Sequence, residues 1–214
     1  MSRLSKHHFW EWFKRHNHEY LTLKNRSAKQ SRYWLNELNA HLRAYFKFFG
    51  CSIEWRPRQE AILTITVHGR SMHFKKVDDL VAKAPQLAGW KISALDDPRP
   101  LDFLLDEQIM DTGIDPAEMY FSIDNDDPDH ASLIIYHPLC NPENEHLVYS
   151  LANSAIYNLL GERSFGTDIG WLCVANLSSA DPDNVKKLEA LPACIGLCRS
   201  AMTINSSGEL VVMH

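Results

Sequence analysis

The order strand, strand, helix, strand occurs twice along this chain, and this repetition constrains the fold more than any single motif. Over residues 51–97, two segments of alternating polarity precede a short amphipathic helix and a third strand. The same order recurs over residues 118–177 without residue identity between the copies. Each copy would lay one helix on one face of a small sheet. The sequence therefore predicts an α+β fold with two β-β-α-β units and antiparallel or mixed sheets, for which ferredoxin-like halves are one arrangement.

Turn residues set the boundaries of these elements. In the first copy a turn near Arg58 and Gln59 separates two strands, and Pro85 ends or kinks the helix. In the second copy we expect a helix from Pro142 to Leu160, with Asn141 as its N-cap. The predicted strands are SIEWRP, EAILTITVHG and KISALDD in the first copy, and MYFSID, ASLIIYHP and WLCVANL in the second.

Less regular segments connect and follow the two copies. DFLLDEQIM, at residues 102–110, is expected to be an extra strand or a linker. Residues 181–191 are expected to hold a short helix, and the tail MTINSSGELVVMH to close as a hairpin through Ser207 and Gly208. An unpaired apolar end is the alternative for this tail.

Two amphipathic helices are predicted before the first copy. From Phe9 to Leu23, apolar and aromatic residues recur within a ~100° arc at 3.6 residues per turn. A second helix is expected from Ala28 to Phe49, with Gly50 placed to end it. The chain is thus expected to consist of a helical hairpin at 1–50 and an α+β region with a C-terminal extension at 51–214, together forming one compact unit.

The stretch HHFWEWFKRHNHEY, residues 7–20, contains four histidines whose spacing does not suit a metal ion. Two histidines on one helix chelate an ion at a spacing of i,i+4, and none of the four has that spacing. His16 alone lies inside the apolar arc. The first interpretation is a partly buried histidine satisfied by a hydrogen bond, and the alternative is a pH-sensitive or catalytic role for His16.

The segment YHPLCNPENEH brings His137, Cys140 and His146 close in sequence. Their spacing matches no standard zinc pattern and no CxxC motif supports one, so neither a metal nor a cofactor is predicted. Cys140 could instead be a nucleophile, since a helix N-terminus lowers a thiol pKa and a nearby histidine can act as base. This pattern provides the enzymatic alternative, a hydrolase or thiol-dependent enzyme.

The run DNDDPD at residues 124–129 concentrates acidic side chains. It lacks the glycine and the final glutamate of an EF-hand loop, and strands flank it, so a solvated hairpin loop is favoured over a calcium site. Its carboxylates are a predicted interaction loop for a basic protein partner. They belong to Asp124, Asp126, Asp127 and Asp129.

Charge and composition limit the remaining classes. The net charge is −5, and the lysines and arginines look scattered apart from a mildly basic start, which argues against a nucleic-acid binder. No run of about eighteen apolar residues occurs, so no membrane span is predicted, and the start lacks the apolar run of a signal peptide. The 5 cysteines show no disulfide framework. We therefore expect a cytoplasmic protein with reduced thiols.

Three phrases resemble ones found in uncharacterised bacterial families of the domain-of-unknown-function kind. They are FWEWF at residues 9–13, KAPQLAGW at 83–90 and LLGERSFGTDI at 159–169, and they are spread over most of the chain. The resemblance implies a bacterial intracellular protein with no assigned reaction, and it carries over no functional residue.

These observations favour a non-enzymatic protein-binding or regulatory module. Immunity to a toxin is one concrete version, motivated by the acidic net charge and the carboxylate loop. A structural, self-associating protein is a third hypothesis beside the thiol enzyme. In that hypothesis the aromatic N-terminal helices form a homodimer, because an apolar stripe left uncovered favours self-association.

Overall fold

The chain folds as two units, Met1–Asp96 and Asp97–His214, each built on a mixed β-sheet. The computed structural model describes residues 6–56, 58–101, 112–124, 130–200, 202–204 and 210–212, with side chains from His8 to Gly196. The predicted α+β class is confirmed. The helical hairpin belongs to the same unit as the first β-β-α-β copy. That the whole chain forms one compact body stays a prediction.

The first unit is a three-stranded sheet with helices before and within it. Its elements are α1 (Lys6–Leu21), α2 (Ala28–Tyr45), β1 (Gly50–Glu54), β2 (Ala61–Thr66), α3 (Phe74–Val81) and β3 (Trp90–Ala94). β2 is the middle strand, antiparallel to β1 and parallel to β3. Leu63 of β2 lies between Ile53 and Ile92, and all three side chains join the core that the helices cover.

The second unit is a four-stranded sheet with a long helix. Its elements are β4 (Tyr120–Asp124), β5 (Ala131–His137), α4 (Glu145–Asp168), β6 (Ile169–Asn176), β7 (Lys186–Lys187), α5 (Leu191–Ser200), β8 (Met202–Ile204) and β9 (Leu210–Val212). The strand order of the main sheet is β6-β5-β4-β7. None of the helices in the described ranges is long and apolar enough to cross a lipid bilayer.

Both predicted β-β-α-β copies are present, and they share one pattern of strand pairing. In each copy the second strand is central, with the first strand antiparallel to it and the third strand parallel to it. A parallel pair needs a crossover connection, and α3 and α4 are those connections. Strand β7 is an addition to the second sheet that the sequence pattern does not predict.

Helix α1 places its aromatic side chains in the core of the first unit. Phe9, Phe13 and Tyr20 are buried, as their spacing predicts. Trp10, which the predicted arc leaves out, is also buried, and its indole N–H donates to the Leu80 carbonyl at 2.9 Å. This bond ties α1 to α3. Because Trp10 is buried as well, the buried face of α1 is wider than the periodicity indicates.

Helix α2 begins with a capping box. The Ser27 hydroxyl accepts the Gln30 N–H, and the Gln30 side chain accepts the Ser27 N–H. Two N–H groups that the first helical turn leaves unpaired are thereby satisfied. The predicted start of this helix at Ala28 is confirmed.

The predicted end of α2 is wrong. The helix stops at Tyr45, and Phe49 is buried from an irregular turn, because an apolar pattern does not distinguish a last helical turn from a buried loop. Gly50 begins β1 instead of ending α2. A Cβ at Gly50 would lie 2.6 Å from the imidazole Nε2 of the exposed His68, so a larger residue at position 50 would require that ring to move.

Helix α4 begins at Glu145, later than the predicted start at Pro142. The expected cap, Asn141, closes a turn in front of the helix. Its Oδ1 accepts the N–H of Glu143 at 2.9 Å and of Asn144 at 3.2 Å. The cap-like sequence is therefore used by an Asx turn, and the helix starts after it.

Of the short helix predicted over residues 181–191, only the end is helical, as a 3-10 helix at Leu188–Ala190 that leads into α5. Asp181 closes a turn, since its Oδ1 accepts the Asp183 N–H at 3.1 Å. Lys186–Lys187 then pair with β4, and α5 begins only at Leu191. The turn at Asp181 and the pairing of Lys186–Lys187 with β4 therefore replace the first part of the predicted helix.

The C-terminal hairpin is confirmed by the pairing of β8 with β9. Met202 faces Val212 and Ile204 faces Leu210 in antiparallel register. The turn residues Ser207 and Gly208, and the segment at 102–110, lie outside the described residues.

Gly161→Ala is expected to lower the free energy of unfolding by about 1–3 kcal/mol. Gly161 interrupts α4 with φ 71° and ψ 163°, a region open almost only to glycine. Thermal denaturation followed by circular dichroism measures the change. Gly196→Ala is the matched control, because Gly196 lies within α5 and a Cβ there meets nothing within 4 Å. The control is expected to be neutral or stabilising by up to about 1 kcal/mol, and equal destabilisation of both variants would contradict the assignment.

Trp10→Phe is expected to cost about 1 kcal/mol more than Trp90→Phe, because only the first change removes a hydrogen bond. Both indoles are buried, but Trp90 Nε1 has no hydrogen-bond partner in the described ranges, whereas Trp10 Nε1 donates to Leu80. Urea denaturation of the two variants measures the difference. A greater loss of stability at Trp90 would show that packing, and not the hydrogen bond, decides the order.

Candidate functional site

The second sheet has one face packed against α4 and an opposite face that carries an open groove. Phe121 and Leu133 belong to the core shared with α4. Successive side chains of a strand point to opposite faces. The residues that alternate with Phe121 on β4 and with Leu133 on β5 therefore face the groove. The groove has a volume of about 420 Å³. Its lining residues include Ser122, Asp124, Ile134, Tyr136, Asp181 and Asn184.

The floor of the groove combines apolar and hydroxyl groups. Tyr136 Oη and Ser122 Oγ lie 3.3 Å apart and form a hydrogen bond between β5 and β4. The register pairs Ser122 with Ile134, so the apolar side chain lies next to the hydroxyl pair. The floor therefore offers one apolar contact surface and hydroxyls that can donate or accept.

A hydrogen-bonded turn forms one wall of the groove. The Asp181 carbonyl accepts the Asn184 N–H at 3.0 Å, and the Asp181 carboxylate accepts from the Asp183 N–H and the Asn184 side chain. These bonds hold the Asp181 carboxylate in a defined position. On the adjoining strand, Lys187 Nζ lies 4.3 Å from the centre of the Tyr120 ring and donates to the Ala117 carbonyl.

Charge is divided unequally between the two units. Residues 1–96 contain 17 lysines and arginines against 8 aspartates and glutamates, a net charge of +9. Residues 97–214 contain 5 against 19, a net charge of −14, and the two values give the −5 of the whole chain. The expectation of scattered basic residues is therefore wrong. The groove lies in the strongly acidic unit.

The predicted carboxylate loop contributes one residue to this groove. Asp124 is exposed at the end of β4 and lines the groove. Asp126, Asp127 and Asp129 lie outside the described residues.

His16 has the hydrogen bond that its first interpretation requires. Its Nδ1 donates to the Trp12 carbonyl at 2.8 Å, since a carbonyl can only accept. The half-buried ring lies near those of Trp12 and Trp34, with centroid distances of 5.2 Å and 5.9 Å. Its place on the apolar face is thus explained by aromatic contacts and one backbone bond. A pH-sensitive role for His16 stays a prediction.

His137 is fully buried at the end of β5, and its lone pair is in use. Its Nδ1 accepts the Leu139 N–H at 3.1 Å, so the neutral ring carries its proton on Nε2. Nε2 lies 4.0 Å from Glu118 Oε2 and has no hydrogen-bond partner in the described ranges. Burial lowers the pKa of His137 below its ordinary 6.5, while Glu118 and Asp115 oppose this shift. A neutral ring in this state is a poor base for a neighbouring thiol.

Cys140 has the surroundings of a structural cysteine. Its side chain is buried, and burial raises the pKa of the thiol, with Glu145 raising it further. An activated nucleophile needs the opposite shift and access to a substrate. His146, the other histidine of this segment, is exposed. These observations disfavour the thiol-dependent alternative.

The described part of the chain contains no group of three or more histidine, cysteine, aspartate or glutamate side chains placed to hold a metal ion. The sequence prediction missed Tyr136, Asp181 and Asn184 as site residues. Alternation in β4 and β5 indicates a polar second face, but the turn that forms the wall lies far away in sequence. A charge count for each half of the chain would have revealed the acidic unit.

Comparison with known proteins gives no relative from which a function could be inferred. The chain matches no protein family model, no curated protein and no solved structure. The groove, its charge and the state of the buried histidine and thiol are therefore the basis for a functional interpretation.

His137→Asn is expected to flatten the pH dependence of stability. The folded-state pKa of His137 lies below 6.5, so the unfolded chain takes up the proton first as the pH falls. The stability that the neutral ring contributes is complete above pH 6.5 and is lost as the pH falls through the folded-state pKa. The unmodified protein should lose up to about 1.4 kcal/mol more per pH unit than the variant in that window.

Urea denaturation at about pH 7.5 and about pH 5.5 measures this difference. Asparagine keeps an acceptor for the Leu139 N–H, and His146→Asn at an exposed position is the matched control. Burial also lowers the pKa of His41, so the unmodified protein and both variants are expected to share some remaining dependence of stability on pH. An unchanged slope in His137→Asn would show that the buried ring does not govern acid stability.

Proposed function

We propose that this chain is a non-enzymatic protein-binding module whose groove on the second sheet receives a basic segment of a partner protein. The groove is the observation that carries the proposal, because it places the carboxylates of Asp124 and Asp181 beside Tyr136 and Ile134 in an open space of about 420 Å³. Lysine and arginine have long apolar stems and charged ends. An apolar floor with carboxylates at its edge matches both parts of such a side chain.

The charge of the second unit supports a basic partner. With a net charge of −14 over residues 97–214, the unit attracts cationic segments and raises their association rate. Salt screens such attraction over a Debye length of about 8 Å at physiological ionic strength. Binding should therefore weaken as salt is added, more through the association rate than through dissociation.

Polar groups in the groove supply orientation. The hydroxyl pair of Ser122 and Tyr136 and the side-chain amide of Asn184 can each bond to a peptide backbone or a guanidinium group. A carboxylate that meets arginine can accept two parallel hydrogen bonds, which adds direction to the attraction. These groups are the basis for selecting one basic segment over another.

Two other hypotheses have less support. The enzymatic one needs an activated Cys140, which is buried and has a raised thiol pKa. The self-associating one needs uncovered apolar surface on the N-terminal helices, yet the main apolar side chains of α1 pack inside its own unit. On α2, Tyr33 is 57 % exposed, and it is the apolar surface on which the self-associating hypothesis would have to rely.

An immunity protein that neutralises a basic toxin in a bacterial cytoplasm is the concrete version of this proposal. Bacterial origin and cytoplasmic location belong to the proposal and rest on the resemblance that the three sequence phrases carry. The acidic second unit, more than the net charge of the whole chain, is the feature that favours this version.

A fluorescently labelled lysine- and leucine-rich peptide tests the groove by anisotropy titration with the full chain. Asp124→Asn with Asp181→Asn is expected to weaken binding about fivefold, since each exposed charged contact is worth up to about 1 kcal/mol. Asparagine at position 181 keeps an acceptor for the Asp183 N–H, and the bond from the Asn184 N–H to the carbonyl of residue 181 is unaffected. Only the bond from the Asn184 side chain loses its acceptor, so the turn is expected to survive.

Glu143→Gln with Glu145→Gln is the matched control, because it removes the same charge from exposed positions of the same unit. A change of less than about twofold is expected for this control. Equal weakening by both double variants would mean that net charge alone attracts the peptide, and the groove would lose its role.

A further inference from the structure

The first unit carries a surface cluster of cations held on aromatic rings. It lies where the end of α2, the segment after β2 and the start of α3 meet. We call it the cation–aromatic cluster, and it consists of Phe46, Lys47, Phe48, Arg70, His73 and Lys76.

Phe48 lies at the centre of the cluster. Its ring is stacked on the imidazole of His73, with centroids 4.9 Å apart and planes inclined by 17°. Lys47 Nζ lies 4.7 Å from the ring centre, and the guanidinium carbon of Arg70 lies 5.3 Å from it. Both distances are within the range in which a cation is attracted to an aromatic face.

Phe46 holds the third cation. Lys76 Nζ lies 4.1 Å from the centre of its ring, and His73 meets the same ring edge-on at 4.9 Å. Phe46 and Phe48 contact each other at 5.5 Å. The aromatic rings therefore bring three cations from three chain segments onto one surface and restrict their motion.

Within the described ranges, these cations have no carboxylate partner. Lys47, Arg70 and Lys76 are exposed, and none of them forms an ion pair with a residue that the structure describes. Other cations of the same unit do pair, in Arg26–Glu19, Arg56–Glu54 and Lys75–Asp79. An organised but unneutralised group of cations is a surface prepared for anionic groups of another molecule.

Two neighbouring features add to this surface. The first turn of α3 contains no acidic residue, and its N-cap, His73, makes no side-chain capping bond, so the positive end of the helix is not neutralised there. Met72 is 81 % exposed between Arg70 and His73 in sequence. It offers a flexible apolar contact beside the charges.

We propose that the cation–aromatic cluster docks an acidic segment of a partner protein. Nucleic acid is the less suitable partner, because single strands bind through bases stacked on free aromatic faces. Here His73, Lys47 and Arg70 lie against Phe48, and Lys76 lies over Phe46. A short run of aspartates or glutamates needs only the cations, which the rings of Phe46 and Phe48 hold on one surface.

The proposal for this surface does not rest on the groove of the second sheet. The surface belongs to the unit with a net charge of +9, and its ligand has the opposite charge to the one proposed for the groove. Changes in the cluster are expected to leave the binding of the lysine- and leucine-rich peptide within about twofold of the unmodified protein. Failure of either proposal is therefore distinguishable from failure of the other.

Anisotropy titration of the full chain with a labelled glutamate-rich peptide tests the proposal. Replacing Lys47, Arg70 and Lys76 together with glutamine is expected to weaken binding about tenfold. The matched control replaces Lys14, Lys24 and Lys29 with glutamine, which removes the same charge from exposed positions of the same unit. Its effect should stay below about twofold.

Phe48→Leu provides a second readout, because it removes the ring and leaves the charge unchanged. About threefold weaker binding is expected, since the cations lose the face that positions them. Circular dichroism of each variant verifies that the fold is kept, and the glutamine variants change only exposed positions.

Three results would overturn the proposal. They are equal weakening by the two triple variants, lack of measurable binding of the glutamate-rich peptide to the unmodified protein, and tighter binding of a labelled DNA duplex or single strand that is lost on changing the cluster. The last result would assign the surface to nucleic acid.

Discussion

The parallel pairing of the second and third strands in each unit is the constraint on which the rest of the structure depends. β2 with β3, and β5 with β6, run in the same direction, so the chain must cross over before it can pair again. In the second unit the crossover helix α4 packs against one face of the sheet, and the opposite face carries the groove. Ser122 and Tyr136 occupy that opposite face.

The sequence predicts the order of strands and helices because alternation and helical periodicity are properties of short segments. Alternation and helical periodicity identify both copies, and the start of α2 follows from Ser27. The errors fall where a polar side chain closes a turn, as at Asn141 and Asp181, or where apolar residues are buried without a helix, as at Phe49. The groove could not be predicted, because its wall and floor come from distant segments whose register local patterns do not specify.

The two units use different means to organise their charges. In the second unit, backbone and amide donors of a turn fix the Asp181 carboxylate beside a sheet face. In the first unit, Phe46 and Phe48 hold Lys47, Arg70 and Lys76 against their rings, and none of these cations pairs with a carboxylate among the described residues. Both arrangements reduce the side-chain entropy that a charged group loses when it meets a ligand.

The Asp181 carboxylate has two roles, one in holding its turn and one in the proposed binding of a cation. The same oxygens that would meet a cation in the groove accept the Asp183 N–H and the Asn184 side chain. A ligand that draws the carboxylate away loosens the turn, and a ligand that leaves those bonds intact meets a carboxylate whose acceptor capacity is partly used. Occupancy of the groove and order of residues 181–184 are thus thermodynamically linked, and each sets a limit on the other.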